Sequence, residues 1–194
     1  MIKEQFLYFA QFPAKEGVNS ILTNGSASTP GYTQLLNQLS SLPSQERVPE
    51  IQNYVYGQSF DELKQRIDRL IGSFLFVDYG EFDMSADSNG SLRLTQRMAI
   101  TVAIKMPNRA DAAEHMLASD TTLHLLSRVH AWMLADADRE QLTWISRDSL
   151  HSGEIVPFVA SELNSVGWTL IISCIGSDTL DTHQLYRSFL RQTQ

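Results

Sequence analysis

Apolar and polar residues alternate most regularly between positions 74 and 105. Leu94, Met98, Ile100, Val102 and Ile104 take turns with Arg93, Thr95, Arg97, Thr101 and Lys105, the period of two that a strand with one covered face requires. Phe74-Leu75-Phe76-Val77-Asp78-Tyr79 is a second strand-like run, and the polar segment Ser85-Ala86-Asp87-Ser88-Asn89-Gly90-Ser91 separates the two. Together they predict a long β-hairpin, stopped by Pro107. Upstream, Leu63, Ile67, Leu70 and Ile71 recur at helical spacing after the capping-box sequence Ser59-Phe60-Asp61-Glu62, with Gly72 where a helix-terminating glycine belongs.

Downstream of Pro107, Met116, Leu117, Leu123, Leu126, Val129, Trp132 and Met133 predict helix over residues 108–135, capped by Asn108. Ser119-Asp120-Thr121-Thr122 is a place where it divides, because short polar side chains compete for backbone groups. Leu142-Thr143-Trp144-Ile145-Ser146 reads as a strand. So does the apolar run 166–175, which suits a central position or burial on both faces. Residues 154–164 fit an irregular strand that Pro157 confines to an edge or bulge, and 178–190 a last helix. The expected fold is α+β, a mostly antiparallel sheet with a long β-hairpin and helices packed on one face.

Residues 1–57 read as an N-terminal elaboration or arm, and 58–194 as the α+β domain. The first part holds an aromatic-rich segment at 6–12, the turn formers Asn24-Gly25-Ser26-Ala27-Ser28-Thr29-Pro30-Gly31, and a helical stretch at 32–42 ended by Pro43. The 194 residues suffice for a domain that removes roughly 70% of its unfolded surface from water, so folding needs neither disulfide nor metal.

Composition narrows the function classes. The net charge of −7 argues against a sequence-independent phosphate-binding surface, and no nucleic acid is expected as partner. No apolar run approaches the about 20 residues that span a bilayer, so no membrane is expected. The N-terminus lacks a signal-peptide pattern, which places the expected location in the cytoplasm. The lone Cys174, among Leu170, Ile171, Ile172 and Ile175, reads as a buried small hydrophobe. Asn24-Gly25-Ser26 and Asn89-Gly90-Ser91 read as turns.

Candidate chemistry is thin. The five histidines, His115, His124, His130, His151 and His183, include no H-x-x-x-H pair. Asp111 with His115 and Asp120 with His124 are spaced i, i+4, which a solvated helix face explains without zinc. Ser85, Asp87, Asn89 and Gly90 resemble the opening of a calcium loop, but Gln96 stands where the bidentate glutamate belongs. Nucleophile-elbow, phosphate-loop and dinucleotide motifs are absent. Asp78, Glu81 and Asp83, beside Tyr79 and Phe82, form either an acid/base pair or, preferably, a polar edge near the hairpin. Trp132, Trp144 and Trp168 read as core or interface anchors. No catalytic residue, metal or cofactor is expected.

The order of helix, long hairpin, helix and strand pair over residues 59–176 resembles the bacteriophage tail terminator and head-tail joining (tail-completion) family. The stretches that carry it are Arg93-Leu94-Thr95-Gln96-Arg97-Met98-Ala99-Ile100-Thr101-Val102, Asp111-Ala112-Ala113-Glu114-His115-Met116-Leu117 and Val166-Gly167-Trp168-Thr169-Leu170. The resemblance implies a non-enzymatic phage or prophage assembly protein. It would form a homo-oligomeric ring, commonly six-fold, meet tail-tube or head-tail connector proteins, and end up in the virion. Phe82, Met84 and Leu92 at the hairpin are the expected interface residues, since apolar side chains on a projecting tip need a partner. A secretion-tube component would share the ring. The alternative is a small-ligand-binding domain or enzyme with a pocket between helices and sheet, using Asp78, Tyr79, Glu81 and His151.

Overall fold

One long strand, Leu92–Lys105 (14 residues), organises the protein. The computed structural model describes residues 1–22, 29–43, 45–58, 64, 66–86 and 92–176. Its strands are β1 (Asn53–Gly57), β2 (Ser73–Asp78), β3 (Phe82–Ala86), β4 (Leu92–Lys105), β5 (Glu154–Ala160) and β6 (Ser165–Gly176). They form a six-stranded sheet ordered β1-β2-β4-β6-β5, with β3 also paired to β4. Every pairing is antiparallel except β1 with β2, which is parallel. The helices are α1 (Ile2–Phe9), α2 (Lys15–Ser20), α3 (Tyr32–Ser40), α4 (Ala112–Asp138) and α5 (Arg147–His151).

The α+β expectation and the alternation in β4 hold. Met98, Ile100 and Val102 are fully buried on one face, beneath Leu125, Leu126, Val129 and Met133 of α4. Each such side chain contributes about 1.5–3 kcal/mol by leaving water, enough to make α4 a fixed cover. On the opposite face a smaller cluster joins Ile67, Phe74, Phe76, Ala103, Ala160 and Leu163. The turn around Ile67 therefore lies across the sheet from α4, and Ile71, expected in its apolar stripe, is exposed.

Residues 1–57 contribute directly to the main core. Phe9, Phe12, Val48, Ile51 and Tyr54 share one cluster with Leu75, Met98 and Trp144. A buried ion pair ties this segment to the end of α4. Arg47 Nη1 donates to Asp136 Oδ2, which also accepts from the Tyr8 hydroxyl at 2.9 Å. The Arg47 guanidinium lies 5.3 Å from the Tyr8 ring centroid and 5.0 Å from that of Trp132. Asp136 Oδ1 has Arg139 Nη1 at 3.7 Å, within charge attraction but beyond hydrogen-bonding distance.

Several local expectations are corrected. Asp111, not Asn108, caps α4 through a capping box with Glu114, each side chain accepting the other's backbone N–H at 2.9 Å. The helix is continuous through residues 119–122, because the Thr121 and Thr122 hydroxyls donate to the carbonyls of Leu117 and Ala118 one turn back. Leu142, Trp144 and Ile145 are buried but form no strand, and Ser146 caps α5 by accepting the Ser149 N–H at 3.1 Å. The expected capping box at 59–62 and last helix at 178–190 lie outside the described residues.

Candidate functional site

The β2 and β3 strands lie on the same side of β4, in line, and a bulge separates them. Asp78 pairs with Ala99 and Phe82 with Gln96. Tyr79, Gly80 and Glu81 thus face only Met98 and Arg97, one residue in excess, and an odd insertion reverses which side chains point to which face. In β2 the even-numbered Phe74 and Phe76 join the cluster opposite α4. Beyond the bulge, the even-numbered Phe82 is paired with Gln96, whose side chain points into the α4 side. The bulge consequently places Phe82 and Met84 on the helix side of the sheet.

Short-range bonds fix this bulge. Gly80 has φ +60°, and a Cβ there would lie 1.6 Å from the Arg97 carbonyl oxygen. The Gly80 N–H donates to Asp78 Oδ1 at 2.8 Å, and the Arg97 N–H to the Glu81 carbonyl at 3.1 Å. Below them the buried amides of Gln5 and Gln96 bond reciprocally, at 2.7 and 3.2 Å, and Gln96 Nε2 also donates to the Tyr79 carbonyl at 2.6 Å. Tyr79 stacks on Tyr56, with centroids 5.1 Å apart. Gln96 is thereby committed to the core, its amide bonded to Gln5 and to the Tyr79 carbonyl.

Past the bulge, β3 pairs with residues 92–96 of β4, and Leu94 and Gln96 pair in turn with Gly176 and Cys174 of β6. Neither β2 nor β5 reaches this level, so among the described residues the outer edges of β3 and of this end of β6 have no strand beside them. Of the expected contact residues, Phe82 is half-buried and Met84 is 63% exposed. Residues 87–91 and the side chain of Leu92 lie outside the described residues.

The residues of the alternative reading do not converge. Asp78 and Glu81 line a cleft of about 560 Å³ together with Gln58, Arg97 and Ile171, on the sheet face opposite α4. Burial raises the Asp78 carboxyl above its ordinary range and Glu81 adds to this, while the Gly80 N–H opposes it. Tyr79, however, turns to Tyr56 on the helix side, and His151 is exposed on α5, where it accepts from Arg147 Nε at 3.2 Å. A second cleft, of about 390 Å³, lies between α4 and the ends of β2 and β4; the Arg128–Glu50 ion pair, at 2.6 Å, flanks it.

Among the described residues, no group of three or more His, Cys, Asp or Glu side chains is placed to hold a metal, and no helix is long and apolar enough to cross a membrane. Cys174 is buried on the core face, where desolvation pushes its thiol up to about 12. The bulge escaped the sequence reading, although Asp78-Tyr79-Gly80 carried its signal, a glycine interrupting a strand pattern. Compared with family models, curated proteins and solved structures, the chain matches none of them.

Proposed function

We propose that this chain is a non-enzymatic assembly subunit that closes into a ring, as a phage or prophage tail terminator or tail-completion protein does. The observation that supports the reading is the arm formed by β3 and the adjoining ends of β4 and β6. It carries an exposed Met84, offers, among the described residues, strand edges with no strand beside them, and is anchored by a bulge in which the Gly80 N–H and the Tyr79 carbonyl are both hydrogen-bonded. A few short strands are marginal in water by themselves, and an arm anchored to α1 through the Gln5–Gln96 amides is suited to docking on another chain. The subunit would meet tail-tube or connector proteins through the finished ring, be made in the host cytoplasm and remain in the virion.

Replacing Phe82 and Leu92 by Asp tests this directly. The variant should keep the circular dichroism of the parent and sediment as a monomer where the parent sediments as a ring. A parent that never assembles, or a variant whose ring is intact, rejects the reading.

The small-ligand alternative has one observation in its favour, the cleft that brings Asp78, Glu81 and Arg97 together. That cleft lacks Tyr79 and His151, and the Asp78 carboxylate already accepts the Gly80 N–H. The assembly reading accounts for more of the geometry.

A further inference from the structure

The sheet face opposite α4 holds a cleft whose walls carry opposite charges. Met98 and Ile100 of β4, and Leu170 and Ile172 of β6, point into the core beneath α4, so Arg97, Ala99 and Ile171 point to the other face. Asp78 shares that face with Phe74 and Phe76 of β2. Ala99 pairs with Asp78 on one side and with Ile171 on the other. Because Ala99 carries only a methyl group, this row dips at its centre, and the dip is the floor of the cleft of about 560 Å³. Arg97 and Glu81 stand one level further along, where the Arg97 N–H donates to the Glu81 carbonyl at 3.1 Å. The cleft thus has two carboxylates, one guanidinium, and a floor made of a methyl group and the half-buried Ile171.

These charges do not neutralise one another. Asp78 and Arg97 are diagonal neighbours across the β2–β4 pair, a relation that sets Cβ atoms roughly 7–8 Å apart and lets a long side chain reach across. Arg97 nevertheless comes within 4.0 Å of neither the Asp78 nor the Glu81 carboxylate. Asp78 Oδ1 accepts the Gly80 N–H at 2.8 Å instead. Burial, and after it the charge of Glu81, works against the ionised form of Asp78. A cation beside the two carboxylates relieves that repulsion. An anion on Arg97 uses the planar fork of a guanidinium, which binds both oxygens of a carboxylate at once. A simple amine leaves Arg97 unanswered and is repelled by it, and a simple acid meets two carboxylates. A molecule with both ends, joined by a short apolar chain, satisfies every group in the cleft.

We propose that this cleft is a binding site for a small zwitterion of the ω-amino acid class. The ammonium lies against Asp78 and Glu81, the methylenes lie over Ala99 and Ile171, and the carboxylate lies on Arg97. The site goes beyond the assembly reading and is independent of it, since it occupies the sheet face away from Phe82 and Met84.

Ligand-observed saturation-transfer NMR on the full chain tests this, because it reads weak binding to monomer and ring alike. The probes are γ-aminobutyrate and ε-aminocaproate, with butylamine and butyrate as single-charge controls, at low ionic strength to limit screening. At least one zwitterion should bind saturably, and both controls should bind at least about tenfold more weakly, the loss of one charge-assisted contact. Glu81→Gln and Arg97→Gln, both at exposed positions, should each weaken the zwitterion by about tenfold, and Arg97→Gln should erase its advantage over butylamine. Ala99→Leu fills the dip without changing any charge and should abolish binding while the circular dichroism stays that of the parent. The proposal is overturned if neither zwitterion binds saturably, if butylamine binds as well as the zwitterions, or if binding survives Ala99→Leu. None of these results bears on ring closure, and a monomeric parent leaves the test in force.

Discussion

Gly80→Ala is the perturbation that most directly probes the bulge. A non-glycine residue in the left-handed region costs about 1–2 kcal/mol, partly offset by about 0.4–1 kcal/mol from the lower entropy of the unfolded chain. The new Cβ, 1.6 Å from the Arg97 carbonyl oxygen, meets backbone and cannot be relieved by a rotamer change. The strands must part there, which loosens the Arg97 N–H bond to Glu81 and the Gln96 amide bond to Tyr79. At about 1 kcal/mol net for each hydrogen bond, the sum is about 3 kcal/mol. At 2–4 °C per kcal/mol for a chain of this size, Tm should fall by roughly 6–12 °C. Gly31→Ala provides the control, because Gly31 also has positive φ (+80°) but nothing within 4 Å of its Cβ position. It should cost about 1 kcal/mol, leaving about 2 kcal/mol as the effect of the clash. Urea denaturation of both variants measures the difference. Equal costs would refute the bulge as described, and with it the argument for the face on which Met84 stands.

Further outcomes follow from the buried polar groups. Asp136→Ala should destabilise by about 3–5 kcal/mol in urea denaturation, since it leaves the Arg47 guanidinium and the Tyr8 hydroxyl without their acceptor; a loss under 1 kcal/mol would mean the pair is open to water. Gln96→Leu alone should cost about 2–3 kcal/mol by orphaning the buried Gln5 amide, whereas Gln5→Leu/Gln96→Leu should recover most of that, a difference a double-mutant cycle reads directly. Burial raises the phenols of Tyr8, Tyr54 and Tyr56 above the ordinary value of 10.0, with Asp136 also acting on Tyr8. Their contribution to stability is full below pH 10 and is lost as the pH rises beyond it. Thermal midpoints should therefore decline above about pH 10, and these three of the six tyrosines should ionise only together with unfolding; ionisation of Tyr8, Tyr54 or Tyr56 in folded protein at that pH, read residue by residue from ring NMR signals, would contradict the burial.

How far the sequence was legible follows from where the physics is local. Alternation through Met98, Ile100 and Val102 identified β4, because one covered face imposes a period of two regardless of what covers it. Pro157 limited residues 154–164 to an edge or a bulge, and β5 is the last strand of the described sheet. The failures arose where tertiary contacts override propensity. Leu142, Trp144 and Ile145 look like a strand, but Trp144 is buried against the rings of Tyr8 and Phe9, at 5.7 and 5.9 Å, and forms no ladder. Residues 1–57 looked like an arm because nothing in their own pattern shows that Phe9, Phe12 and Tyr54 fill the core under a distant sheet. The candidate site was half legible: the apolar hairpin residues stood out, whereas their face depended on one residue inserted between Asp78 and Phe82. A shift of register by one is invisible to hydropathy and decides everything about where Met84 points.

The central claim is that identical subunits close into a ring. Its most direct test is absolute mass by light scattering after size exclusion, over a wide range of protein concentration, with negative-stain images of the main species. The account predicts one fixed integer multiple of the chain mass and closed annular particles with a central opening. A monomer at every concentration would contradict it, and so would an open, concentration-dependent series of oligomers.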